Sequence, residues 1–343
     1  MPAPEQDPPA GRRPSFSDRF GVSGERVSTL EPKHPGLRMA LRVLFVVLVV
    51  ASVAFAVASE AGKIDGFDWR FEPWWIVLCV LALMAFEACH IELWRFSIRS
   101  LGGKIEARRG RAIWSTTLLA RYVPTSALMA VGRVALAERE GVAKRVTLAS
   151  VAYELAFTII ASLVLCAYLL WQLPELDHHD WVRWIAAAVP VLGLVLVHPA
   201  IFHRFTDYAL RRMGRAPLPL SLGYLRVLEL TFLYVISFVI AGVAVLAMTQ
   251  ALRNLPSDAT YAAIASYALG YVTGVIGFVI PGSLGAREAG LAIGLSAVVP
   301  AAVAVAVAIA VRLLQIGVEV LYALVTPLLA RRVPERSPAP PRG

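Results

Sequence analysis

The chain is poor in charge, poor in cysteine and empty of the short motifs that mark soluble enzymes. Asp, Glu, Lys and Arg make up 17% of its 343 residues, where a soluble domain carries roughly 25%. With 58% hydrophobic residues and a mean hydropathy of +0.65, that shortage excludes an ordinary soluble protein. The three cysteines, Cys79, Cys89 and Cys166, fall inside apolar runs with no metal spacing. They read as small core residues rather than a disulfide or a redox pair. No run alternates polar and apolar residues with a period of two, which argues against a membrane barrel. There is no His-Glu-x-x-His, no Gly-x-Ser-x-Gly and no Asp-rich metal site. No enzyme, cofactor or metal is therefore expected; His178-His179-Asp180 lacks the Cys or Glu that would complete a metal spacing.

What is present is a succession of apolar runs reaching the ~20 residues that cross a bilayer. The expectation is an all-α polytopic integral membrane bundle with about seven to eight spans, one or two of them broken or re-entrant. Residues 1–36 read as a disordered arm, 37–330 as the transmembrane domain and 331–343 as a basic, Pro-rich disordered tail. The apolar run 37–58 is too long, and its preceding arm far too long, for a usual signal peptide, so it reads as a retained first span. Further spans are expected at 73–96, 147–171, 184–200, 225–249, 260–280 and 301–329, with one interrupted segment at 112–131 and a second at 266–299. The second is broken at Pro281 and resumes over 289–299, and it reads as a hairpin entering from the outside or as two ordinary crossings.

Net charge is +9. Its placement in short loops favours the positive-inside bias and attraction to anionic headgroups over nucleic-acid binding. Lys and Arg number seven in the arm through Arg42, six in 95–111, four in 133–145, four in 204–215 and four in the tail. The intervening loops 59–72, 172–183 and 250–259 hold two, one and one. Both termini are thus expected on the cytoplasmic side of the plasma membrane. The segment 112–131 has basic loops on both sides, so both its ends face the cytoplasm. A re-entrant hairpin meets that condition, with an interfacial helix as the alternative.

Two breaks carry the strongest functional signal. In hydrocarbon, unwound backbone leaves N–H and C=O groups unpaired at several kcal/mol each, so a break survives only when buried in protein or lining a polar cavity. The first is Tyr122-Val123-Pro124-Thr125-Ser126 and the second Val279-Ile280-Pro281-Gly282-Ser283. Each has Pro-x-Ser after an apolar pair and is followed by Gly and Arg. Paired breaks of this kind fit an inverted-repeat transporter, and in a chain with 24 Gly and 22 Pro chance accounts for the likeness equally well.

The candidate substrate-binding residues follow from these breaks. Pro281, Gly282, Ser283 and Gly285 open the backbone for close approach, and Arg287 offers paired N–H donors to a phosphate at the start of a helix, with Glu288 beside it. Arg312, Gln315 and Glu319 form one polar stripe on the last span. An Arg at that depth costs roughly 2.5–3.5 kcal/mol on insertion scales, so it should face the bundle interior. Pairing of Arg312 with Glu288 or Glu154 is as well motivated as contact with substrate. Arg121 and Arg133 flank the first break as the cytoplasmic half of an anionic pathway, although snorkelling to the headgroups is the simpler expectation for Arg133. Glu154 reads as the buried partner of an Arg. Glu87, His90 and Trp94 share a face of their span, as a proton relay or, more simply, a satisfied hydrogen-bond network.

The stretch Pro281-Gly282-Ser283-Leu284-Gly285-Ala286-Arg287-Glu288-Ala289 resembles the Pro-Gly-Gly-x-Gly-x-Arg-Glu signature of the lysylphosphatidylglycerol synthase transmembrane (flippase-like) family. Gly132-Arg133 and Glu138-Arg139-Glu140-Gly141-Val142 resemble that family's first motif, but with Ala130-Val131 where more Gly and an acidic residue are usual. Glu154-Leu155 likewise stands where Glu-Arg is common. The resemblance implies a lipid-translocating domain without the soluble aminoacyl-transferase. The expected function is transport of an anionic or polyprenyl-phosphate-linked lipid between leaflets, with phosphate-headgroup lipids, and envelope-synthesis enzymes, as partners. The alternatives are a membrane-embedded transferase acting on a lipid-linked sugar or amino acid, with Glu154, Glu288 or His90 as base, and a non-catalytic scaffold for envelope enzymes.

Overall fold

The computed structural model describes residues 72–122, 127–172, 178–201, 204, 222–277 and 285–331. The arm 1–36, the run 37–58, the tail beyond Arg331 and the break residues Pro124, Pro281, Gly282 and Ser283 lie outside the described residues. The described part is helical: α1 (Pro73–Ser100), α2 (Ala107–Leu118) running into a 3-10 turn (Leu119–Tyr122), α3 (Ala127–Arg139), α4 (Lys144–Gln172), α5 (Asp180–Leu196), α6 (Tyr224–Leu252), α7 (Thr260–Ile276), α8 (Ala286–Leu295) and α9 (Ala301–Ala330). Five of these are long and apolar enough to cross a bilayer: α1, α4, α6, α7 with its preceding 3-10 turn, and α9. The expected span at 184–200 is α5, whose 17 residues sit at the lower bound for crossing.

The helix starts follow local chemistry. Pro73 occupies the first turn of α1, where a missing N–H costs nothing. Glu106 caps α2 by accepting the Arg109 N–H at 2.8 Å. Before α8, Gly285 holds φ +86°, a conformation other residues adopt only under strain. Glu288 reaches back one turn and accepts the Gly285 N–H at 2.7 Å.

Both interrupted segments fold back on themselves. In the first, Arg109 of α2 binds Glu140 just past α3 at 2.9 Å, while Arg133 Nε donates to Thr117 Oγ1 at 3.3 Å. The pairs 109–140 and 117–133 run in opposite directions along the chain, so α2 and α3 form an antiparallel hairpin with its open end at the basic loops. The second shows the same order in its glycines. A Cβ on Gly290 would lie 2.0 Å from Thr273 Oγ1, one on Gly294 2.9 Å from Ser266 Oγ, and one on Gly277 2.6 Å from Ala286 Cβ. α8 therefore returns antiparallel along α7, backbone against backbone, as small residues permit in membrane bundles. Its ten residues span only about 15 Å, half the ~30 Å hydrocarbon core.

The core lies where α1, α4, α6, α7 and α9 meet, and Trp94, Tyr153, Phe157, Tyr234, Phe238 and Tyr267 fill it. Their rings stack or meet edge to face, Phe238 touching Phe86, Tyr267 and Tyr271. Cys79 is buried, and all three thiols are free.

Candidate functional site

The tips of the two hairpins meet against the middle third of α9. From the first comes the 3-10 turn with Arg121 and Tyr122, and from the second the start of α8 with Arg287 and Glu288. α9 presents Arg312, Gln315 and Glu319 between them, 8%, 2% and 0% exposed. The stripe faces inward, as an apolar helix must turn its polar residues when lipid surrounds the bundle.

Three guanidiniums converge there, each with a different partner. Arg121 Nη2 donates to Glu319 Oε1, and Tyr122 Oη donates to the other carboxylate oxygen at 2.8 Å. Arg312 Nε lies 3.2 Å from Glu288 Oε1, the carboxylate that also caps α8. Arg287 Nη2 donates to Tyr267 Oη at 2.5 Å. That hydroxyl donates to Gln315 Oε1 at 3.3 Å, and Gln315 Nε2 donates to Glu87 Oε1 at 3.4 Å.

Aromatic rings lie close to each of the cations. Tyr122 has two guanidiniums close to its ring, with Arg121 Cζ 5.3 Å and Arg312 Cζ 5.4 Å from its centre. Arg287 Cζ stands 4.9 Å from the Tyr267 ring and 5.9 Å from that of Tyr271. Ring faces attract cations most where water is scarce, so these tyrosines let three like charges sit in one neighbourhood. A narrow cleft opens among Tyr267, Arg287, Glu288, Arg312 and Gln315, floored by apolar residues of α8 and α9.

Of the ten candidate residues, Arg121, Arg287, Glu288 and Arg312 are brought together here. Gly285 caps the helix that carries two of them, and Pro281, Gly282 and Ser283 fall outside the described residues. Arg133 and Glu154 form a separate pair, and the snorkelling expected of Arg133 does not occur. Its side chain is fully buried, ion-paired to Glu154 and held between Trp94 and Trp114, whose ring centres lie 5.3 and 5.4 Å from Cζ. Trp114 Nε1 binds the second Glu154 oxygen at 3.0 Å. The reason is the hairpin: α3 folds back onto α2 and α4, so a residue expected at a loop edge turns into the packed interior.

Glu87, His90 and Trp94 share the buried face of α1 but reach three different helices. Glu87 meets Gln315 of α9, His90 Nε2 lies 3.1 Å from Ser237 Oγ of α6, and Trp94 Nε1 donates to Ser150 Oγ of α4 at 3.0 Å. They form the tertiary network rather than a chain along one helix. Among the described residues no group of three His, Cys, Asp or Glu is arranged to hold a metal.

Three site residues, Tyr122, Tyr267 and Tyr271, were not singled out by the sequence, nor was the pairing of Glu319 with Arg121. The one available hint was the four-residue spacing of Tyr267 and Tyr271, which puts both on the face of α7 that α8 covers. A family model described as the lysylphosphatidylglycerol synthase TM region matches residues 37–323. No curated protein compared with the chain matches it.

Proposed function

Because the chain belongs to the family of the lysylphosphatidylglycerol synthase TM region, we propose that it is a non-enzymatic transporter that carries a lipid with a phosphate headgroup between leaflets. The bilayer penalises passage of a charged headgroup. Arginines and a helix start presented at mid-depth lower that barrier while the tails stay in lipid.

The observation that carries this reading is the placing of Arg287 and Arg312 on one cleft, with Arg121 of the first hairpin brought close by through Tyr122, whose ring Arg312 also contacts. Structural ion pairing needs one carboxylate per arginine at hand. Two of the three have that, and the hydrogen bond of Arg287 goes instead to a neutral phenol. A phosphate can replace the phenol at Arg287 without uncovering a carboxylate, with the start of α8 beside it. The hairpins support a re-entrant reading, one from each face, because α8 is too short to cross and the α2–α3 hairpin opens toward basic loops. An inverted-repeat transporter of the plasma membrane with cytoplasmic termini would use such an arrangement.

The test is reconstitution into liposomes, with leaflet exchange followed for anionic, zwitterionic and polyprenyl-phosphate lipids. A charge-assisted hydrogen bond contributes about 1.5–3 kcal/mol. Arg287→Ala is therefore expected to slow exchange of phosphate-bearing lipids by roughly ten- to a hundredfold, with folding retained by thermal melting. Unchanged exchange in a folded variant would sink the assignment.

A further inference from the structure

The cations around the cleft can be matched one by one. Arg312 has Glu288, whose Oε1 lies 3.2 Å from its Nε, and Arg121 has Glu319. Arg287 instead donates to the neutral Tyr267 hydroxyl at 2.5 Å and lies against two tyrosine rings. Among the described residues it forms no ion pair. Glu87 is reached from Arg287 only through Tyr267 and Gln315, and a carboxyl group adds no positive charge whether or not it holds its proton. Three arginines set against Glu288 and Glu319 therefore leave at most one positive charge in excess.

That limit separates two kinds of phosphate. One esterified twice carries a single negative charge, which the excess at Arg287 meets. One esterified once loses a second proton near pH 6 and then carries two. The next cation lining the cleft is Arg312. As the tips stand, taking it for the second charge uncovers Glu288, whose other oxygen holds the Gly285 N–H at 2.7 Å. Uncovering one member of a largely buried pair is costly. The apolar lining sorts the two in the same direction. Leu291, Ala308 and Val311 offer no side-chain donor, so a third unesterified oxygen loses water with nothing in return. The carbon of a second ester loses nothing against that floor.

Resting on the transport reading above, we propose that the cleft selects phosphodiesters carrying one negative charge and rejects the dianions of phosphomonoesters. Arg287 supplies the cation. Glu288 determines the specificity, because it keeps Arg312 from serving a second charge. A lipid whose phosphate bridges two groups is carried. One that ends in a free phosphate, whether on a glycerolipid or a polyprenol, is not.

Proteoliposomes of the full-length protein test this with tail-labelled phosphatidylmethanol and phosphatidic acid of the same acyl chains, which differ only in a methyl ester. At about pH 8.5, where the monoester is a dianion, phosphatidylmethanol is expected to exchange between leaflets at least about tenfold faster. At about pH 5 the monoester keeps its second proton, and the ratio should fall toward one. The diester, measured at both pH values, controls for changes in the protein. Equal rates at the higher pH, or faster phosphatidic acid, overturn the charge selection and leave lipid transport standing. No protein-dependent exchange of either lipid overturns both. Labelled glycerophosphoglycerol outside the vesicles is the soluble counterpart; its uptake in place of lipid exchange refutes lipid transport and keeps diester recognition. Glu288→Gln retains an acceptor for the Gly285 N–H and releases Arg312. The ratio at the higher pH should then fall at least about tenfold through a gain for phosphatidic acid, whereas equal slowing of both lipids would overturn the role given to Glu288. The wild-type ratio decides the charge selection even if that variant does not assemble.

Discussion

Replacing Arg133 by Met tests whether the first hairpin is locked by charge or only by packing. The side chain is 0% exposed, ion-paired to Glu154, hydrogen-bonded to Thr117 and flanked by two indoles. Methionine keeps much of the volume and removes the cation. Glu154 is then left with the Trp114 N–H and no counter-charge, and uncovering one member of a buried pair costs about 3–5 kcal/mol. Two cation–π contacts add about 0.5–2 kcal/mol each where water is excluded. Membrane interiors temper such values, because the unfolded helices find other partners in lipid. A net loss of about 3 kcal/mol is the expected outcome. The double variant Arg133→Met/Glu154→Gln removes both charges and should recover at least ~1 kcal/mol of it. Reversible unfolding in mixed detergent, followed by tryptophan fluorescence, measures Arg133→Met, Glu154→Gln and the double variant, and Trp94 and Trp114 report on the site itself. Single losses below ~0.5 kcal/mol that simply add would refute the reasoning, since coupled neighbours depart from additivity by more than that.

Two further predictions concern packing and a cap. Gly290→Ala places a methyl 2.0 Å from Thr273 Oγ1 and should destabilise by about 1–3 kcal/mol, with partial recovery in Gly290→Ala/Thr273→Ala, both read as shifts in Tm. At the α2 cap, burial pushes the Glu106 carboxyl up, but the Arg108 and Arg109 backbone amides and the Arg108 charge outweigh it and hold the group below its ordinary value. Its folded pKa is thus depressed, so the cap's contribution is complete above the ordinary carboxylate range and is lost as pH falls through the folded value. Glu106→Gln should flatten that part of the stability-against-pH curve, and an unchanged acid limb would contradict the cap.

The main spans were legible because length and apolarity alone define them. The expected 225–249 is α6 at Tyr224–Leu252, and the expected 301–329 is α9 at Ala301–Ala330. The inward stripe of Arg312, Gln315 and Glu319 was legible for the same reason: an arginine in the middle of a long apolar run has nowhere else to point. Its link to Glu288 was one of two partners considered, and the structure selects it over Glu154. Arg133 was misread because the loop charge rule treats every basic residue near a span end as exposed. Only the fold-back of α3 reveals its burial. The tyrosines were invisible for a different reason. In an apolar helix a tyrosine is ordinary, and its value to a neighbouring cation depends on which helix lies opposite.

The convergence of arginines also explains why the two breaks occur in one protein. A single re-entrant hairpin could bring one or two arginines to mid-depth, but each would need a permanent carboxylate to stay buried. Two hairpin tips meeting at one helix permit the partners to be shared. Glu319 of α9 holds the first tip through Arg121 and Tyr122. Arg312 of α9 holds the second through Glu288, and Tyr122 contacts the cations of both α9 and its own hairpin. Either tip can therefore move only by giving up a partner on α9 that the other tip, or an anion in the cleft, must then replace. On the proposed transport, a bound phosphate would do this for Arg312, whereas a zwitterionic headgroup would bring its own cation. On that reading, selectivity for anionic headgroups and movement of the tips would draw on the same few side chains.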